Sequence, residues 1–80
     1  MTAKAKRKKN TAFWTHEHTV TKITPTGEVV EAFVVLGSAD AYNKQKQIED
    51  AGFFAVVRNN TLDTEEYRTP GCEGFDPTLV

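Results

Sequence analysis

Across residues 32–58 the apolar positions change period twice: a run ending at Leu36, a stripe spaced by three and four, and a second run over residues 53–57. Those periods predict strand, helix and strand. Gly37 closes the first run, and Ser38 stands where a side-chain oxygen caps the free amides of a helix, with Asp40 in the first turn and Lys44 and Lys46 beyond. Ala41, Tyr42, Ile48 and Ala51 make the stripe, interrupted by Gln45, so the helix buries a narrow face and one small sheet satisfies it. Gly52 follows as a left-handed cap, with Phe53 packing back on the last turn. Residues 53–57 are aromatic or mostly β-branched and read as a strand buried on at least one face, ended by Arg58 and Asn59-Asn60.

Upstream, residues 11–24 predict a long strand rich in threonine, valine, isoleucine and aromatics. Trp14, His16, His18 and Val20 share one face, while Phe13, Thr15, Glu17, Thr19, Thr21 and Ile23 share the other. Apolar residues at both ends of each alternation imply a bulge or a change of burial along the strand. Pro25-Thr26-Gly27 is a turn, proline fixing its first corner and glycine supplying positive φ, so a hairpin follows. Its second strand, 28–36, is apolar on both faces: Val30, Ala32, Val34 and Leu36 on one, Val29, Phe33 and Val35 on the other, broken only by Glu31. That is the pattern of a central strand. Residues 61–69 alternate weakly around Leu62 and Tyr67 and suggest an edge strand. Pro70-Gly71 breaks the pattern, and the remainder, interrupted by Gly74 and Pro77, reads as a loose tail.

The expected architecture is α+β, in the order β-β-α-β with or without a fourth strand: one helix on a three- to four-stranded, mainly antiparallel sheet over residues 11–69. A disordered basic arm, 1–10, precedes it and the tail, 70–80, follows. The crossover through the helix is expected to be right-handed if the strands it joins are parallel neighbours.

Composition adds limits. A chain of 80 residues buries a small core, although 39% hydrophobic and 10% aromatic residues suffice for a folded unit. No apolar run approaches the roughly 20 residues of a membrane span, and the basic N-terminal residues are followed by no hydrophobic segment, so the expected location is cytoplasmic. Cys72 is the single cysteine and makes no internal disulfide. The net charge of −1 conceals an asymmetry: Lys4, Lys6, Arg7, Lys8 and Lys9 are half of the ten cations, and all eleven carboxylates lie from Glu17 onward. A basic arm is thus attached to an acidic body. The arm reads either as an electrostatic contact for nucleic acid or an acidic protein surface, or as a solubilising tail.

Chemistry is sparse. His16 and His18, two apart on a strand, have a metal-like spacing, but no third ligand stands near them, so they read as two partly exposed histidines and neither metal nor cofactor is expected. Cys72 with a histidine makes a formal nucleophile and base, yet a cysteine between glycines lacks the electropositive setting that lowers a thiol pKa. Glu65 and Glu66 are adjacent and point apart on a strand. There is no glycine-rich phosphate loop, nucleophile elbow or HExxH, so no enzyme is expected. Phe13 and Trp14 beside the arm suggest a base-stacking platform, although neighbours on a strand split between faces.

Residues 34–59 resemble the first strand-helix-strand half of the peptidoglycan-binding SPOR domain, whose second helix has no counterpart here. The order Lys8-Lys9, Phe13-Trp14, helix, Ala51-Gly52-Phe53, Arg68, Pro70, Cys72 is similar to that in small phage proteins that inhibit host RNA polymerase. That resemblance implies a phage-encoded, non-enzymatic protein acting on a larger host machine in the host cytoplasm. Surface reasoning agrees on a binding role. One helix covers one sheet face, and the other is expected to present Phe33 and Val35 with Phe53, and Trp14 nearby, as a contact for a protein partner or a second copy. Two further readings stand beside this one: a nucleic-acid-binding accessory protein using Lys4, Lys6, Arg7, Lys8 and Lys9, and a structural component of a particle.

Overall fold

A computed structural model describes residues 16–77. Its elements are β1 (Glu17–Ile23), β2 (Val29–Leu36), α1 (Ser38–Asp50), β3 (Phe54–Asn59) and β4 (Thr64–Arg68). The strands form one antiparallel sheet in the order β2-β1-β3-β4, with the helix on one face. This is the expected α+β fold with its fourth strand present. β2 and β3 run parallel but are separated by β1, so the helical crossover steps over one strand.

β1 and β3 are the inner strands, and β2 is an edge, contrary to the expectation from its two apolar faces. β1 is covered on both sides: His18 and Val20 are fully buried toward the helix, Ile23 on the opposite face, with Thr21 nearly so. On β2, by contrast, Val34 and Leu36 remain 65% exposed. A register shift between Lys22 and Ile23 leaves Val30 as the extra residue and sets Val29 opposite Ile23.

Cross-strand rows decide which face the helix takes. Phe33, Val20, Val57 and Tyr67 are successive partners across the four strands, an unbroken apolar row. The next row along, on the opposite face, runs Val34, Thr19, Arg58, Glu65. Only the first can close a dry core with Ala41 and Ile48, and Ala55 joins it there. Phe33, Val35 and Phe53 therefore pack on the helix side, half-buried, which corrects the expectation that they lie on the open face.

Local chemistry sets the joints. Thr24 O accepts the Gly27 amide at 2.9 Å, closing the Pro25-Thr26 turn, and Gly27 has φ of 100°. At the C-terminus of α1, Phe53 N donates to Ile48 O and Gly52 N to Glu49 O, with Gly52 at φ 91°. This is the glycine cap the sequence indicated. The N-terminus differs. Gly37, at φ 90°, is the cap residue, Ser38 is already helical, and no side chain caps the first turn. The positive φ at Gly37 turns the chain into the helix one residue earlier than serine capping requires.

Residues 70–77 are not a loose tail. Cys72 is fully buried against Ile23 and Val56, and Phe75 packs with Phe54 at 6.0 Å between ring centroids. Arg68 makes this possible by donating from Nη1 to the carbonyls of Cys72 and Phe75, both at 2.7 Å, while Nε and Nη2 grip the Glu65 carboxylate. The strap covers the end of the second sheet face near the β1–β2 turn, and a Cβ on Gly27 would meet the Phe75 ring at 3.1 Å.

Candidate interaction surface

Among the described residues the strap ends at Pro77, in the groove beside Thr19 and Thr21, and leaves the β2 side of that face uncovered. There β2 presents Ala32, Val34 and Leu36, all exposed, opposite Thr21, Thr19 and Glu17 of β1. Because β2 is an edge, alternate residues also present backbone groups that are unpaired among the described residues. Gly37 donates its amide to His16 O, and Asn60 donates to Glu17 O. By the alternation of an antiparallel ladder, the even-numbered residues of β1 bond to β2 and the odd-numbered ones to β3. Ala32, Val34 and Leu36 consequently turn their N–H and C=O groups outward, so one stretch carries both an apolar row and an outward hydrogen-bonding margin.

The residues picked from sequence fall elsewhere. Lys44 Nζ lies 4.4 Å from the centre of the Phe33 ring, and Lys22 Nζ lies 4.2 Å from that of Phe53. These ammonium groups cover aromatic surface that would otherwise face water. Phe33, Val35 and Phe53 are thus packing residues of the helix side. Trp14 and the basic residues Lys4, Lys6, Arg7, Lys8 and Lys9 lie outside the described residues. On the open face β2 presents Val34 and Leu36 in place of Phe33 and Val35. Val34 and Leu36 were distinguishable only through Thr19 and Glu17, their polar partners on β1.

His16 and His18 are buried, at 3% and 0% exposure, rather than partly exposed. His18 Nδ1 lies 3.0 Å from the carbonyl of His16, which can only accept, so that nitrogen carries the proton. Its Nε2 lies 3.4 Å from Glu66 Oε1. Asn59 is also fully buried; its Nδ2 donates to Glu66 Oε2 and meets His16 Nδ1, and its Oδ1 accepts the Leu62 amide. The cluster ties β1, β3 and β4 together. Among the described residues no group of three His, Cys, Asp or Glu side chains is placed to hold a metal ion.

Other polar sites are structural in the same sense. Burial pushes the Cys72 thiol up, and its Sγ donates to Thr69 O, which disfavours the thiolate needed for nucleophilic chemistry. Partial burial pushes the Glu49 carboxyl up, but hydrogen bonds from Thr69, Tyr67 and Gln45 outweigh it and hold that carboxyl below its ordinary value. Glu49 so fastens the helix to β4. A shallow groove of about 220 Å³ crosses the second face between Thr19, Thr21, Arg58, Glu65 and Pro77, and its cation is engaged by Asp63.

No helix among the described residues is long and apolar enough to cross a membrane. No protein-family model, curated protein or solved structure matches the chain.

Proposed function

We propose that this chain is a small, non-enzymatic, protein-binding regulator whose contact surface is the outer margin and open face of β2, acting on a larger assembly such as host RNA polymerase. The observation that carries this reading is the exposure of Val34 and Leu36, each 65%, on a strand whose outward backbone groups are unpaired among the described residues. Apolar rows on an open edge are the surface that strand addition uses: main-chain bonds supply affinity and alternate side chains supply selectivity. The buried chemistry supports the same side, because the histidines, Cys72 and Glu49 are all held by partners within the fold.

The test is retrieval of one stoichiometric protein from a host lysate by the wild-type chain and by Leu36→Asp. Leu36 is exposed, so the variant is expected to fold as the wild type does and to lose the partner. Equal retention by both would remove β2 from the interface. Binding that instead goes to nucleic acid, weakens steeply with salt and disappears on deletion of residues 1–10 would replace this reading by the nucleic-acid one.

A further inference from the structure

We propose that β2 pairs antiparallel with β2 of a second copy of this chain about a two-fold axis at Val34, joining two four-stranded sheets into one. The inference rests on the reading of β2 as the contact surface: the second copy takes its hydrogen-bonding margin, and the open face of Ala32, Val34 and Leu36, doubled across the seam, is left to the larger assembly.

The register follows from parity and charge. An axis perpendicular to the sheet keeps both helices on one side, so residues facing each other across the new seam must share a face. Centring the seam on Val34 sets Val34 opposite Val34, Ala32 opposite Leu36, Phe33 opposite Val35 and Glu31 opposite Gly37. Ala32, Val34 and Leu36 already turn their backbone groups outward, so the three pairs they form exchange about six hydrogen bonds. Each of the three is apolar on both sides, and the Phe33–Val35 pairs extend the helix-side core across the seam.

Glu31 selects a second copy over an unrelated strand. It is the one charged residue of β2, and it faces the helix side, since it pairs with Lys22, which lies over Phe53. In this register it arrives beside Gly37 of the other copy, the cap residue of a helix whose first turn has no side-chain cap. A carboxylate there meets the positive end of the helix and its unpaired amides. An arbitrary apolar strand would satisfy the outward backbone of β2 equally well but would leave Glu31 and the uncapped turn as they are. Moving the axis to Phe33 would place Glu31 opposite Val35 instead.

Sedimentation equilibrium of the full chain over a concentration series tests this, with Val34→Lys, Glu31→Gln and Leu62→Lys compared at matched melting temperature. Leu62, 51% exposed in the β3–β4 turn, controls for an added surface charge. The wild type is expected to dimerise and Leu62→Lys to match it. Val34→Lys puts two ammonium groups together on the axis and should weaken the dimer at least ~10-fold. Glu31→Gln, acting at both ends of the seam, should weaken it about 3- to 10-fold. A wild type that stays monomeric at about 0.5 mM, or a dimer that Val34→Lys leaves as tight as Leu62→Lys does, overturns the proposal. A dimer indifferent to Glu31→Gln overturns the register. A monomeric wild type that still loses its lysate partner on Leu36→Asp would defeat the dimer alone, whereas a dimer with Leu36-independent partner retention would defeat the regulatory reading alone.

Discussion

The sheet has two outer strands, and they are built on opposite plans. β4 is five residues long, three of them charged, and a register shift between Val57 and Arg58 irregularly spaces it against β3. Its side chains are committed inward: Glu66 to Asn59 and His18, Tyr67 to Glu49, Arg68 to Glu65 and the strap. β2 is eight residues long with one charge, and its bulge sits at the far end, at Val30. Short, charged and bulged edges resist adding another strand, and long apolar ones invite it. This small protein thus protects one edge at the level of individual side chains and leaves the other competent to pair.

From that contrast, substitutions on the β4 side are expected to cost folding stability and those on β2 are not. Arg68→Ala should have the largest effect, about 2–3 kcal/mol by urea denaturation, because it releases a mostly buried cation's bonds to Glu65 and two carbonyls. The strap should loosen with it, so that Cys72 reacts with a thiol reagent faster than in the wild type. An inert Cys72 would show that strap packing does not depend on Arg68.

Asn59→Ala comes next, at about 2 kcal/mol, since it strips partners from Glu66, His16 and the Leu62 amide at once. A melting temperature within a degree of the wild type would break the claim that β4 is tied down by buried polar contacts. Glu49→Gln should cost about 1 kcal/mol at neutral pH and carry a pH signature. The folded carboxyl is held below its unfolded value of about 4.3, so its contribution is complete above that value and fades as pH falls through the folded one. The wild-type and variant stability curves should therefore converge in acid, and a constant gap would assign Glu49 a steric role. Val34→Lys should change monomer stability least, by under about 0.5 kcal/mol in dilute solution, while altering association. A large loss would mean that β2 is held by contacts its exposure does not reveal.

Local chemistry was legible in the chain: the turn at residues 25–27, the glycine cap at Gly52 and the helix between two strands all depend on neighbours in sequence. What escaped depends on distant partners. β2 is apolar on both faces, so nothing within it distinguishes Phe33 from Val34. The difference lies in Val20 and Thr19 on β1 and in Val57 and Arg58 on β3, which become relevant only once strand order and register are known. For the same reason His16 and His18 looked half-exposed, because Asn59 and Glu66, which enclose them, come more than forty residues later. In the strap, glycines and prolines mark only the breaks in the chain. Its anchor is a single guanidinium reaching backbone carbonyls, and carbonyls leave no mark in composition. Gly37 took the cap from Ser38 through its own positive φ, a choice that any Gly-Ser pair leaves open.

The placement of β1 between β2 and β3 has a consequence for synthesis. As the chain leaves a ribosome, β1 and β2 can meet across the short connection at residues 24–28, yet one whole side of β1 stays unpaired until β3 has emerged beyond the helix. Ile23 waits longer still, because Cys72 and Phe75, which close over it, are among the last described residues to appear. The emerging chain therefore passes through an incomplete sheet, and the earliest strand among the described residues is the last to be fully enclosed.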